Sequence, residues 1–408
     1  MSERVTEIAQ RRAEQPASPT PDATTDLVGD SDFSEAFGED LSHTLDVDTW
    51  PTGIDWEGAV ARIRAEVEQA VEHEEVLREN VRREILPQIE HRHGAPPEAG
   101  VYRATPDELA KVHEGLLFTG RVEAVDGTSS VHDTIPLGIT QIGVAVVSYG
   151  GTSATFAQRV YRKEIAGRTA DPFQAALEVL DKREGRSGVD QKDGLSELAR
   201  RGIMTYAERK ILVDKSTATW RLGHGAPAPY ELLTGSGSMQ LLTASLDVLR
   251  RMILDFRNFV FVPSSPGERG LLTIGHALRA GEYVVIDTIE DQIERIVEHG
   301  HYSKTYKAHA MSFVKECGPE VLRGIYCTSE NAPPYLFYGH RERIHLAARV
   351  ALADSVLRPA RGFPMLIDVA DATCTSTFGT SGFLGLVHEA YSKAGVPMRY
   401  LGEREMRR

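Results

Sequence analysis

Apolar residues at Val60, Ile63, Val67 and Val71, then Leu77, Val81, Ile85 and Ile89, recur at steps of three and four with one slip between the two sets. That spacing places them on one face of a long helix from about residue 55 to the break at His93-Gly94-Ala95-Pro96-Pro97. Pro87 has no N–H to donate and should divide its last turns. A short helix is expected near 106–117, and then the period changes. Residues 118–125 alternate and end in Asp126-Gly127-Thr128-Ser129-Ser130. Residues 137–149 form an apolar, β-branched run bounded by glycines, and 155–165 alternate again. Three such runs with short connections predict an antiparallel meander.

Helical periodicity returns at 172–183 and 195–209, followed by Ile211-Leu212-Val213-Asp214, which reads as a short buried strand. Beyond it the pattern predicts a helix over 239–257, strands over 259–262 and 283–286, and helices over 290–299 and 305–316. Strands near 324–328 and 335–338 and closing helices at 344–357, 365–374 and 383–394 complete the chain. The sum is an α/β protein with a mixed β-sheet, elaborated by N-terminal and inserted helices, and without internal repeats.

Composition narrows the class. With 41% hydrophobic and 26% charged residues over 408 positions, the chain can bury a substantial core. No run approaches the roughly 20 apolar residues of a bilayer-spanning helix, and the first residues lack the apolar centre of an export signal. The three cysteines, Cys317, Cys327 and Cys374, form no CxxC pair. That excludes a disulfide scaffold or zinc ribbon and suits a reducing cytoplasm. Of the net charge of −13, residues 1–48 contribute twelve acidic and three basic side chains. This argues for an unordered acidic tail over 1–50, a helical segment over 51–117 and a main domain over 118–408. The polar face of the long helix is a solvated face or, alternatively, part of a dimerisation or docking arm. The nearly balanced main domain neither requires nor forbids a nucleic-acid partner.

Two acidic residues end apolar runs: Asp126, followed by small residues, and Asp214, in Ile-Leu-Val-Asp-Lys-Ser-Thr. A carboxylate at a strand end can be an ordinary turn cap. Two or three such groups converging from separate elements would instead supply the hard oxygen ligands that Mg²⁺ and Mn²⁺ favour. Two ions held this way could activate water and stabilise the leaving oxygen of a phosphodiester. Glu197, on the helix before Asp214, is the third candidate, and Glu208 reads as a surface residue at the helix end.

The order and spacing of Val122–Ser130, the helical Glu197, Ile211–Leu222, Phe259–Gly267 and Arg361–Cys374 resemble those of the NurA nuclease family, from about Leu117 to the C-terminus. The resemblance implies an RNase H-like core, Mn²⁺- or Mg²⁺-dependent DNA cleavage with two ions, and a homodimer that works with a HerA-like hexameric translocase. The setting would be recombination repair or phage defence. It makes Asp126, Glu197 and Asp214 metal-binding carboxylates. The sequence also departs from the family. The second acidic motif commonly reads Asp-Gly, where Asp214-Lys215 stands here, and Ala370-Asp371 replaces an Ala-His on the last segment. Asp371 is therefore the expected fourth ligand, with Asp368 one turn earlier in reserve and His388 as a substitute.

Lys215, Lys304, Tyr306 and Arg341 are candidate DNA contacts, as are Arg159, Arg162 and Lys163 on the third strand. Lysine or arginine would meet phosphates and tyrosine would stack on bases. Two alternatives stand beside the nuclease. One is a non-catalytic scaffold subunit of a translocase complex. The other is an actin- or sugar-kinase-type ATPase, for which Asp126-Gly127-Thr128 would be a phosphate loop lacking its second Asp-x-Gly partner.

Overall fold

The computed structural model describes residues 30–50, 53, 55–134, 137–151, 153–162, 197–265, 269–300 and 302–399. The chain divides into two compact units, 1–73 and 74–408. The described part of the first unit contains α1 (Asp30–Phe37), α2 (Leu41–Leu45) and the beginning of α3 (Trp56–Asn80). None of its described side chains is buried. The acidic stretch expected to be unordered thus forms short helical turns from Asp30 onward; what the low apolar content withholds there is a core. On α3 the apolar stripe of Val60, Ile63, Val67 and Val71 is exposed, each residue by more than half. The helix passes into a π-type turn over Val81–Ile85 and a 3-10 turn over Leu86–Gln88, where Pro87 sits, as the missing N–H demands.

The second unit opens with β1 (Gly100–Arg103) and α4 (Pro106–Val112), whose N-terminus is closed by a capping box between Thr105 and Glu108. A meander of β2 (Val122–Asp133), β3 (Gly138–Val147) and β4 (Ser153–Arg162) follows. Helix α5 (Glu197–Asp214) leads to β5 (Trp220–His224), and α6 (Tyr230–Leu233) and α7 (Met239–Arg250) lead to β6 (Phe259–Val262). Next come α8 (Arg269–His276), β7 (Glu282–Thr288), α9 (Glu290–His299), α10 (Lys304–Cys317), β8 (Val321–Tyr326) and β9 (Tyr335–His340). The chain closes with α11 (Ile344–Ser355), α12 (Met365–Phe378) and α13 (Thr380–Lys393).

The described strands form one nine-stranded sheet in the order β1-β7-β8-β9-β6-β5-β2-β3-β4. The meander is antiparallel, while β5 runs parallel to β2 and β6 parallel to β5. Three antiparallel strands, followed by two parallel strands added beyond the first of them through helical crossovers, are the connectivity of an RNase H-like core. Strands β9, β8, β7 and β1 extend it on the far side in antiparallel fashion.

Alternation along the strands separates two apolar layers. Val122, Ala124, Leu222, Val260 and Val262 join α11 and α12 on one face. Val125, Val144, Val146, Phe259 and Phe261 join α5, α7, α9 and α10 on the other.

Two sequence expectations about the meander and its exit are corrected. Asp126 does not end a strand, because β2 continues through Asp126-Gly127-Thr128-Ser129-Ser130 to Asp133, paired throughout with β3. Nor is Ile211–Asp214 a strand. It is the last turn of α5, with Leu212 and Val213 buried and Asp214 on the solvent side, four residues from its ion-pair partner Lys210. The strand preference of Ile211 and Val213 lost to a preceding helix that could bury Leu212 and Val213. The expected helix over 172–183 and Lys163 lie outside the described residues.

Helix α12 is held at both ends. Fully buried Asp354 accepts a hydrogen bond from the Leu366 N–H in its first turn (2.8 Å) and another from the Tyr149 hydroxyl (2.7 Å). At the other end the Phe378 carbonyl accepts from Gln141 Nε2 (3.0 Å) and Ser130 Oγ (3.3 Å). The Phe378 side chain occupies the space above Gly143, where an added Cβ would stand 2.2 Å from Cδ2. Gly143→Ala is therefore expected to push α12 off β3 and lower the unfolding free energy by about 1–3 kcal/mol, read from the urea midpoint. Gly115→Ala, whose new carbon meets nothing within 4 Å, should stay within about 1 kcal/mol of wild type.

Candidate active site

Strand β5 stops where β2 goes on. The parallel register pairs Val125 with Gly223, which sets Asp126 beside His224, the last residue of β5. Beyond that point β2 is paired with β3 alone, leaving a notch in the sheet. Gly127 lies in this notch and has no side chain to close it. An added Cβ there would meet Glu208 Oε1 at 2.6 Å and Met204 Cγ at 2.9 Å, so glycine is what lets α5 approach β2.

Groups from both faces of the sheet consequently open on one cleft of ≈ 400 Å³. Asp126 and Gly127 of β2, Arg201, Met204, Thr205, Glu208 and Arg209 of α5, and His224, Gly225 and Ala226 at the end of β5 line it. Pro229 and Glu231 at α6, and Asp371 of α12, complete the lining.

The electrostatics are those of carboxylates crowded out of water. Glu208 is buried, and burial raises its carboxyl to about 7. The charge of Asp126 pushes the same way, against the partial relief given by Arg209, His224 and the Gly127 N–H. Arg209 is buried beside it and pairs with Glu208 through Nη1. Its Nη2 donates to the carbonyls of His224 (3.0 Å) and Ala226 (2.7 Å), and its guanidinium lies over the Phe261 ring, 4.7 Å from the centroid. Burial lowers the Arg209 pKa and Glu208 opposes that shift. His224 Nδ1 stands 3.5 Å from Asp126 Oδ1, and the contact with that carboxylate raises the imidazole pKa above its usual value. Glu231 is paired with Arg201. Asp371 is exposed and accepts a hydrogen bond from Thr375 Oγ1 (3.2 Å).

The structure brings together only part of the set expected from sequence. Asp126 and Asp371 share the cleft. Asp214 does not line it. Its carboxylate lies at the C-terminal end of α5, bound by Lys210 (2.7 Å) and Arg251 (2.8 Å), whose contacts hold its pKa below the usual range. The backbone of Glu197 begins α5, and its side chain lies outside the described ones. The α5 carboxylate beside Asp126 is Glu208, about 16 Å further along the helix axis. Glu208, taken from sequence for a surface residue, is thus one of the most enclosed acids among the described residues.

Asp368 is held by Arg358 (3.3 Å) and Arg361 (2.9 Å), and His388 is exposed on α13. Among the candidate DNA contacts, Tyr306 packs against the core and Arg341 faces Glu98 (3.4 Å). Arg159 donates to Gln141 (2.8 Å), while Lys215 and Lys304 are exposed. The side chain of Arg162 is outside the described ones.

His224 and Glu208 were missed for one reason: the strand Trp220–His224 was not recognised. Its alternation ends in His224-Gly225, where an Asp-Gly was sought ten residues too early.

Among the described residues no three His, Cys, Asp or Glu side chains stand close enough to form a finished metal site. The donors available are nevertheless the right kind for Mn²⁺ or Mg²⁺: carboxylate oxygens from three elements, one of which, Glu208, is kept from ionising chiefly by burial. A cation would favour the ionised form of Glu208 and draw Glu208 and Asp371 from their present partners, Arg209 and Thr375.

No protein-family model matches the sequence, and none of the curated proteins is similar to it. Among solved structures, the chain is similar in shape to the NurA nuclease from Sulfolobus solfataricus. The two are 10% identical, with 82% of this chain and 98% of that one covered at a TM-score of 0.44. A NurA bound to dAMP and manganese is 9% identical, covering 78% and 93% of the two chains at a TM-score of 0.37. Endonuclease V from Bacillus subtilis is 10% identical, covering 65% and 83% at 0.31.

Because its folded-state pKa is raised from 4.5 to about 7, Glu208 stabilises the fold fully only below about 4.5 and loses that contribution as pH rises through about 7. In metal-free protein, carbon-13 spectra of the side-chain carboxyl should show Glu208 titrating near pH 7. Asp126→Asn should move that titration downward, since the Asp126 charge is one of its raising causes. A Glu208 titration at the ordinary glutamate position would contradict the enclosed geometry.

Proposed function

We propose that the protein is a divalent-cation-dependent DNA nuclease. The observation that carries this reading is the meeting of Asp126, Glu208 and Asp371, from β2, α5 and α12, in one cleft at the notch of an RNase H-like sheet. The resemblance of the sequence motifs to the NurA family supplies the substrate and the preferred ion, Mn²⁺. By the same analogy the protein acts in the cytoplasm as a homodimer with a HerA-like translocase, processing DNA ends in repair or phage defence. Among the described residues no helix is long and apolar enough to cross a membrane.

A bound pair of cations would supply charge neutralisation at the phosphodiester and a water of lowered pKa. The chain does the rest. Asp126, on a central strand, and Glu208, on a packed helix of the opposite layer, would supply oxygen donors. Asp371 reaches in from α12, whose two anchored ends set its position. Arg209 keeps the 224–226 loop against α5.

The engagement of Glu208 by Arg209 favours one other reading, a scaffold subunit that binds a translocase without cutting.

Cleavage of 5′- and 3′-labelled duplex and single strands in Mn²⁺, alone and with a HerA-like ATPase, tests the choice. Asp126→Asn, Glu208→Gln and Asp371→Asn should each slow cleavage by about 100-fold or more while circular dichroism shows the fold intact. Asp214→Asn should remain within about twofold, since Asp214 does not line the cleft and its exposed ion pairs contribute little. Undiminished cleavage by both the Asp126 and Glu208 variants would remove the mechanism.

A further inference from the structure

Beside the cleft, the turn between α11 and α12 carries two arginines that share one acid. Arg358 Nη1 lies 3.3 Å from Asp368 Oδ2, and Arg361 Nη2 lies 2.9 Å from Asp368 Oδ1. Two guanidinium groups against one carboxylate leave a unit of positive charge. The Arg358 and Arg361 side chains are 58% and 45% exposed, so each fork has N–H donors left for a ligand. The turn itself is fastened. The Arg361 and Gly362 N–H groups both donate to the Arg358 carbonyl at 3.0 Å, and Gly362 takes a φ of +68° that favours glycine. Ser329 Oγ donates to the Pro359 carbonyl (2.8 Å) and Thr328 Oγ1 to that of Gly362 (3.2 Å). Two contacts tie the pair to the cleft. The Arg361 guanidinium lies over the Phe363 ring, 5.3 Å from its centroid, and that ring meets the His224 imidazole edge-on at 5.9 Å. Asp368 also precedes Asp371 by three residues on α12, which makes the two neighbours on the helix surface.

We propose that Arg358 and Arg361 form a phosphate-binding subsite that holds the DNA strand beside the bond being cut. A planar guanidinium meets a phosphate with two parallel N–H···O bonds, which a point charge does not. Because the turn is already fixed by its own hydrogen bonds, little order has to be gained when the strand arrives. Asp368 holds the pair in place without a strand and competes with the phosphate for it. With the two ring contacts laid end to end, Arg361 is at most about three phosphates from the cleft wall, at roughly 3.4 Å of axial rise per phosphate. The proposal rests on the nuclease reading for the identity of its ligand, a nucleic-acid backbone.

The test uses the full chain and a fluorescently labelled single strand, with Ca²⁺ replacing Mn²⁺ so that the strand stays whole. Anisotropy gives Kd and its salt dependence. Arg358→Gln and Arg361→Gln should each weaken binding about tenfold and lower the slope of log K against log salt by about one. Arg361→Lys, which keeps the charge without the fork, should fall between wild type and Arg361→Gln. Asp368→Asn should tighten binding, whereas arginines that served only to hold Asp368 and α12 would make that variant bind as poorly as theirs. Uncharged methylphosphonates, placed one at a time, locate the contact. In wild type one such linkage within about three nucleotides of the cleavage position should cost affinity that it no longer costs in Arg361→Gln. Arginine variants that bind as wild type does, or equal sensitivity to every linkage in wild type and Arg361→Gln, overturn the subsite and leave the nuclease reading standing. A wild-type chain that neither binds the strand nor cleaves it in Mn²⁺ sinks both. Should a glutamine variant misfold, Arg361→Lys and Asp368→Asn carry the same test.

Discussion

The site depends on how closely α5 can approach β2. At Gly127 the two elements are near enough that a methyl group would collide with the Glu208 carboxylate, and that proximity delivers an acid into the sheet's notch. The contact has a cost, since a carboxylate taken out of water loses several kcal/mol of hydration. The chain offsets it with Arg209, itself buried, whose guanidinium is shared between Glu208 and the carbonyls of His224 and Ala226. A single arginine thus compensates the acid and fixes the end of β5. Breaking such a pair from one side strands the other charge, typically at about 3–5 kcal/mol. The two residues are structural partners before they are anything else.

The notch follows from unequal strand lengths. β2 runs twelve residues and β5 only five. Where the shorter strand ends, the longer one exposes an edge in the middle of the sheet, and alternation directs Asp126 to the α12 face and Gly127 to the α5 face. With no side chain at Gly127, groups from opposite layers share one opening. Strand-end sites in α/β sheets arise for the same reason: backbone pairing stops there and space is left for a ligand.

Much of the architecture was legible. The meander, β6, and the helices α9 to α13 stand within a few residues of where periodicity puts them, because long amphipathic segments carry their own signal. The pairing of Asp126 with Asp371 in one cleft was legible as well, through motif order. What failed was local. Asp126-Gly127-Thr128-Ser129-Ser130 has turn composition, yet pairing with β3 keeps it extended. Ile211–Val213 has strand composition, yet two of its residues complete a helix's buried face. In both places long-range contacts overrode short-range preference. The errors are linked. Taking the last turn of α5 for a strand moved the expected strand-end ligand to Asp214, hid β5, and made Glu208 look like a helix-end surface residue.

The charge in the cleft then raises the question of how it could receive a polyanion. Asp126, Glu208, Glu231 and Asp371 face Arg201, Arg209 and the imidazole of His224. Two of these cations are already committed, Arg201 to Glu231 and Arg209 to Glu208. A phosphate brought to this surface would meet Asp371, which no cation pairs, and Asp126, which only the His224 imidazole faces, and be repelled by roughly 1–4 kcal/mol per uncompensated carboxylate at 4 Å, depending on how far water is excluded. The acids therefore oppose a nucleic acid by themselves and favour it only with divalent charge between them and the phosphate. Arg209 ties α5 to the His224 and Ala226 carbonyls, and those ties do not depend on Glu208 if it turns toward a cation. A permanent internal cation thus maintains the geometry, and an exchangeable one is required before the same geometry can hold a substrate.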